Sequence, residues 1–136
     1  MMGRLASLRR LSAGERRTLA AAWLLLLIVP VLLRVLPLRR LLTLTRPRGG
    51  PHLPPQRVAR LVELAARRVP SARCLPVAIV TAWLLARQGT PATLRIGVAR
   101  RAARLTAHAW LECGGVPLVD DVGEFTPIVS VAVATP

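Results

Sequence analysis

From Cys74 to Gln88 the chain reads CLPVAIVTAWLLARQ, apolar on nearly every side of a helical wheel, and Gly89 follows as a left-handed stop. A helix with no polar face has nowhere to go but the interior, so this segment predicts a central helix on which the remaining elements pack. Pro76 fixes where it starts, because proline is tolerated only in the first turn, where its missing N–H would have had no partner. Cys74 therefore falls at the helix N-terminus.

The elements around it follow from pattern. Val58, Leu61, Val62, Ala65 and Val69 recur at helical spacing between Gln56 and Arg68, with Arg57, Arg60, Arg67 and Arg68 on the other face, which predicts an amphipathic helix ended by Val69-Pro70. Ala92–Val98 alternates as a half-buried strand, and the arginine-rich Ala99–Arg104 reads as an exposed connection. Ala107–Cys113 and Val116–Val119 around Gly114-Gly115 predict a hairpin, and Ile128–Val133 a last strand. Helices followed by antiparallel strands make an α+β fold.

Ahead of these lies a charge-free run, LAAAWLLLLIVPVLL from Leu19 to Leu33, bracketed by Arg16, Arg17, Arg34, Arg39 and Arg40. As a helix it would measure about 22 Å, short of the ~30 Å hydrocarbon core of a bilayer. No small-residue cleavage site follows it, which argues against a secretory signal. Two readings stand: a helix packed on protein, or one lying on the inner membrane surface with its arginines at the headgroups. Pro30 is expected to kink or break it. Thr45–Pro55, TRPRGGPHLPP, is the clearest linker. The organisation expected is a hydrophobic helical arm over 1–44, a Pro/Gly linker over 45–55 and a folded domain over 56–136.

A chain of 136 residues can bury a core without disulfides, and with 53% hydrophobic but 3% aromatic residues that core must be aliphatic. All 20 basic residues are Arg, and the net charge of +14 favours an acidic partner: peptide, anionic lipid or nucleic acid. Scarce aromatics argue against base stacking. Cys74 and Cys113 form no disulfide framework, and no Cys/His spacing reads as a zinc site, so a reduced, cytosolic setting without a metal is expected. His52, among prolines, reads as a solvated loop residue.

A thiol attacks as its thiolate, and the unpaired N–H groups at a helix start stabilise negative charge and can also hold an oxyanion. By position alone Cys74 reads rather as a small buried hydrophobe. Nucleophilic catalysis also needs a base distant in sequence and close in space. Strand alternation puts His108, Trp110 and Glu112 on one face and Cys113 on the other. With a two-residue Gly114-Gly115 turn, His108 falls opposite Asp121; one extra residue, as in a glycine bulge, brings Asp120 to the histidine's face instead. The spacing alone does not choose between the two acids.

Cys74-Leu75, Trp83–Gly89, Ala92–Val98, Ala107–Glu112 and Phe125-Thr126-Pro127, in this order and with these gaps, resemble the successive signatures of the B2 proteins of lasso peptide biosynthesis. The likeness runs from about Val58 to Ile128 and extends to the arginine-flanked apolar arm. It implies a transglutaminase-like, papain-like fold and a catalytic triad of Cys74, His108 and, counting twelve positions on from the histidine, Asp120, with Asp121 as the fallback. Asp120 in turn implies the bulged turn. Gly114-Gly115 departs from the Asp-Gly or Asn-Gly expected there, a change a tight turn can absorb.

The resemblance further implies a cysteine protease that removes the leader from a ribosomally made precursor peptide, needing no cofactor. Its partners would be a separate leader-binding B1 protein and, as a further candidate, the lasso cyclase, with no nucleic acid. The expected location is the cytoplasm, with the arm as a candidate contact to the inner membrane surface. Two alternatives use the same residues differently: an acyltransferase that passes the acyl group to an amine, and a non-catalytic basic module that binds nucleic acid or anionic membrane.

Overall fold

The computed structural model describes residues 9–44, 52–70, 72–119 and 122–133. Among the described residues the helices are α1 (Ala13–Val35), α2 (Leu38–Thr43), α3 (Pro55–Ala66) and α4 (Cys74–Arg87). Four strands follow: β1 (Ala92–Arg101), β2 (Arg104–Cys113), β3 (Val116–Pro117) and β4 (Thr126–Val133). They form one antiparallel sheet in the order β3-β2-β1-β4.

The central helix is as expected. Every residue from Ala78 to Ala86 is buried. Pro76 lies in the first turn, and Gly89 ends the helix at φ +82°. Leu94 pairs with Leu111 and Ile96 with Ala109 across β1 and β2, and these side chains join Ile79, Val80 and Leu85 of α4 in a single core. The opposite face of the sheet carries Arg95, Gly97, His108, Trp110 and Glu112.

α1 departs from expectation. It runs unbroken through Pro30, because Ala22, Leu26 and Val29 are each fully buried against α3 and α4. Burying the Leu and Val contributes about 2 kcal/mol apiece, enough to offset the ~3 kcal/mol that an interior proline costs. The N-terminus of α1 is a capping box: the Glu15 N–H donates to Ser12 Oγ at 3.2 Å and the Ser12 N–H to Glu15 Oε2 at 2.9 Å. Glu15 Oε1 also accepts from Arg57 of α3 at 2.7 Å, so one carboxylate caps α1 and ties it to the next layer. That ion pair holds the Glu15 carboxyl below its ordinary range.

Within the segment expected as an arm over 1–44, Ala22, Leu26, Val29, Leu41 and Leu42 thus share the core with α3 and α4. Two further ties close this half. Trp83 Nε1 of α4 donates to the Leu41 carbonyl of α2 at 2.6 Å, and the Gln88 side-chain amide clamps Leu53, accepting from its N–H and donating to its carbonyl.

The segment Ala99–Arg104 is also more ordered than an exposed connection. β1 and β2 extend through it and pair as far as Arg101 and Arg104, joined by Ala102 and Ala103, both in the left-handed region at φ +49° and +65°. Nothing in the residue types signals a two-residue turn here, since Ala-Ala is a poor match for that backbone.

Candidate active site

α4 presents Cys74 as its first residue. The preceding Arg73 is extended and supplies no side-chain cap, so among the described residues the first-turn amides have no side-chain acceptor. Cys74 lines a cleft of ≈ 180 Å³ whose walls come from α3 (Ala59 and Glu63), the start of α4 (Ala72, Arg73, Val77) and β2 (His108 to Leu111). His108 therefore shares one cleft with Cys74, across 34 residues of chain. Leu118 and Val119 complete the lining.

The two side chains approach the cleft from different directions. Alternation along β2 sends His108 to the sheet face away from the α4-covered core, with Trp110 beside it and Gly97 opposite. β3 pairs with β2 only at Glu112 and Cys113, and Leu118 N–H adds a bond to the Leu111 carbonyl at 2.9 Å. No β3 partner covers the His108 stretch of that edge, so the histidine can meet the cleft there. Cys74 and His108 share the cleft without a hydrogen bond between them; contacts of this sort are commonly loose in the absence of a bound molecule.

Around the imidazole the described contacts are rings. Trp110 stacks at 6.0 Å between centroids with 20° between planes, and Phe125 lies at 5.2 Å. Gly97 makes room for this: a Cβ there would come within 2.7 Å of Trp110 Cη2 and 3.0 Å of the Thr126 carbonyl. Burial, and then the positive charge of Arg101, hold the His108 pKa below its ordinary value, so the neutral imidazole that can accept a proton persists into mildly acidic solution. Arg101 is held over Phe125, 5.8 Å from the ring centroid, and pairs with Glu124.

Alternation already sets Trp110 on the His108 face, whereas Phe125 is marked in the sequence only within a longer block; they are two of four aromatic side chains, three Trp and one Phe. The influence of Arg101 comes from the tight β1–β2 turn region and has no sequence signal. Cys113 lies on the face opposite His108, as the alternation requires, and burial raises its thiol pKa. His52 is an exposed loop residue.

Cys113 pairs with Val116 and Glu112 with Pro117, while Gly114 and Gly115 adopt φ +59° and +79°. This is a two-residue turn without the bulge expected to accompany Asp120. Two consecutive glycines at positive φ fit such a turn without strain, so no extra residue is needed. The last ladder pair is Glu112 with Pro117, and the Leu118 N–H still meets the Leu111 carbonyl, so this unbulged register, if continued past Val119, would set Asp121 rather than Asp120 opposite His108. Asp120 and Asp121 themselves lie outside the described residues.

Among the described residues no group of His, Cys, Asp and Glu is placed to hold a metal ion. The arrangement suits acyl chemistry: a thiol at a helix start, a histidine at the same cleft and free backbone donors beside the thiol. No curated protein and no solved structure was found to match the chain. A family model does match, that of the transglutaminase-like superfamily, over residues 16–130. The match runs from the first turn of α1 into β4, most of the chain, so the chain belongs to the transglutaminase-like superfamily.

Proposed function

We propose that this protein is a leader peptidase of the lasso peptide B2 kind, hydrolysing a ribosomally made precursor by thiol catalysis. The observation that carries the reading is that Cys74, the first residue of α4, and His108 of β2 line one cleft. The order of the five sequence blocks supplies the specific family.

In the proposed reaction His108 takes the Cys74 thiol proton, and the thiolate attacks the scissile carbonyl while α4 N–H groups hold the oxyanion. The C–N bond breaks, the leaving amine takes the proton from His108, and a thioester to the leader remains. Water, deprotonated by His108, then releases the leader as a carboxylate and restores the thiol. Asp120, given by the spacing of the resemblance, or Asp121, to which an unbulged turn hands the role, orients the imidazole. A B1 protein delivers the leader in the cytoplasm, and the freed core amine passes to the cyclase.

Incubation with precursor and B1 alone tests this by the masses of the products. Leader and core peptides, each of hydrolytic mass and lost on Cys74→Ala, are expected. Leader loss that survives Cys74→Ala would overturn the assignment. A leader carrying an added amine would identify acyl transfer instead, and salt-sensitive DNA binding without cleavage would identify a basic binding module.

A further inference from the structure

α1 has two apolar faces with different fates. Ala22, Leu26 and Val29 fill the core, whereas Trp23, Leu24, Leu27, Ile28 and Val31 are between 44% and 61% exposed. Their spacing sets all five in one stripe along the helix. Arg16 and Arg17 precede the stripe, Arg34 ends it, and Arg39 and Arg40 follow on α2, all exposed. No acidic residue occurs between Arg16 and Leu44.

We propose that this stripe is a docking face for the surface of a bilayer containing anionic lipid, with α1 lying in the membrane plane. Contiguous large apolar side chains are unusual on a soluble surface. Arginines at both ends, with no acid among them, complement phosphate headgroups. Trp23 is suited to the boundary between headgroup and acyl chain.

At 23 residues, α1 is long and apolar enough to cross a membrane by length and composition. Its buried face and the Glu15–Arg57 pair nevertheless hold it on α3, and crossing would strip Leu26 and Val29 from the core. In-plane docking keeps both faces satisfied. None of the cleft-lining residues belongs to α1, so the cleft stays open to a peptide when the stripe is covered. The docking face does not depend on what the cleft cleaves.

The test is sedimentation of the full-length protein with vesicles of phosphatidylglycerol and phosphatidylcholine, against vesicles of phosphatidylcholine alone. Binding to the anionic vesicles that weakens with salt is expected. A blue shift in tryptophan emission should accompany it and report Trp23, since Trp83 and Trp110 are only 7% and 3% exposed. Leu27→Glu with Ile28→Glu should reduce partition at least about tenfold. Arg34→Gln with Arg39→Gln, which alters no buried side chain, should weaken binding and flatten its salt dependence. Failure to bind anionic vesicles, equal binding to neutral ones, or insensitivity to both variants would overturn the proposal. So would a dimer that Leu27→Glu dissociates in the absence of vesicle binding, which would assign the stripe to a second copy.

Discussion

Gly97→Ala is the change that most sharply separates the site from the fold. Gly97 is buried opposite His108, and a Cβ on it would stand 2.7 and 2.9 Å from Trp110 Cη2 and Cζ3 and 3.0 Å from the Thr126 carbonyl oxygen. Ordinary contact begins near 3.4 Å. The Thr126 oxygen belongs to the β4 backbone and gives little, so the Trp110 ring must move by several tenths of an ångström. Trp110 is only 3% exposed, and forcing a methyl against it is an overpacking change worth about 1–3 kcal/mol. That corresponds to a fall in Tm of roughly 4 °C for each kcal/mol in a chain of this size. Because Trp110 is stacked on His108, the shift also displaces the imidazole, and turnover should fall more than the lost folded fraction accounts for. Thermal denaturation and leader cleavage on the same preparation measure both. Adding Trp110→Phe removes the atoms that clash, so the double variant should cost less than the sum of the single changes. Additive costs, or a Gly97→Ala variant with unchanged Tm and turnover, would refute the reasoning.

Gln88→Ala removes both hydrogen bonds to Leu53 and should cost about 1–3 kcal/mol in denaturant unfolding. Gln88→Glu, which keeps the acceptor and loses the donor, should fall between it and the parent. Ala103→Gly relieves a non-glycine residue at φ +65° and should stabilise the fold by about 1 kcal/mol, read as a higher denaturation midpoint. Since burial and Arg101 lower the His108 pKa, the unfolded chain binds that proton more readily. This contribution to stability is present above the ordinary histidine value and is lost as pH falls below it. The acid limb of activity should likewise lie below that value. Arg101→Gln should move the limb toward higher pH, as a pH–rate profile with precursor would show.

What the sequence made legible is what periodicity and proline placement control. Pro76 can occupy only a first turn, so Cys74 had to begin α4, and the unbroken apolar run from Ala78 to Ala86 had to be interior. Alternation put Cys113 away from His108 for the same reason. The misses are tertiary. Local chemistry at Pro30 argues for a break, and only the burial of Leu26 and Val29 overrides it. Ala102-Ala103 carries no turn signal, and the pairing of the flanking strands imposes the reversal. The packing of Phe125 on His108 and Trp110 joins the segment before β4 to β2 and is invisible to spacing along the chain. A bulge inferred to suit Asp120 was unnecessary for the turn itself, where two glycines already satisfy the backbone.

The most direct test of the central claim, that Cys74 is a nucleophile served by His108, is to trap the acyl-enzyme. The full-length protein would be mixed with precursor and B1, quenched in acid, and its peptides mapped by mass spectrometry. The account predicts a leader-derived thioester on Cys74, none on Cys113, and no adduct in His108→Ala protein that retains its melting transition. An adduct on Cys113, or one on Cys74 that forms equally fast without His108, would contradict it.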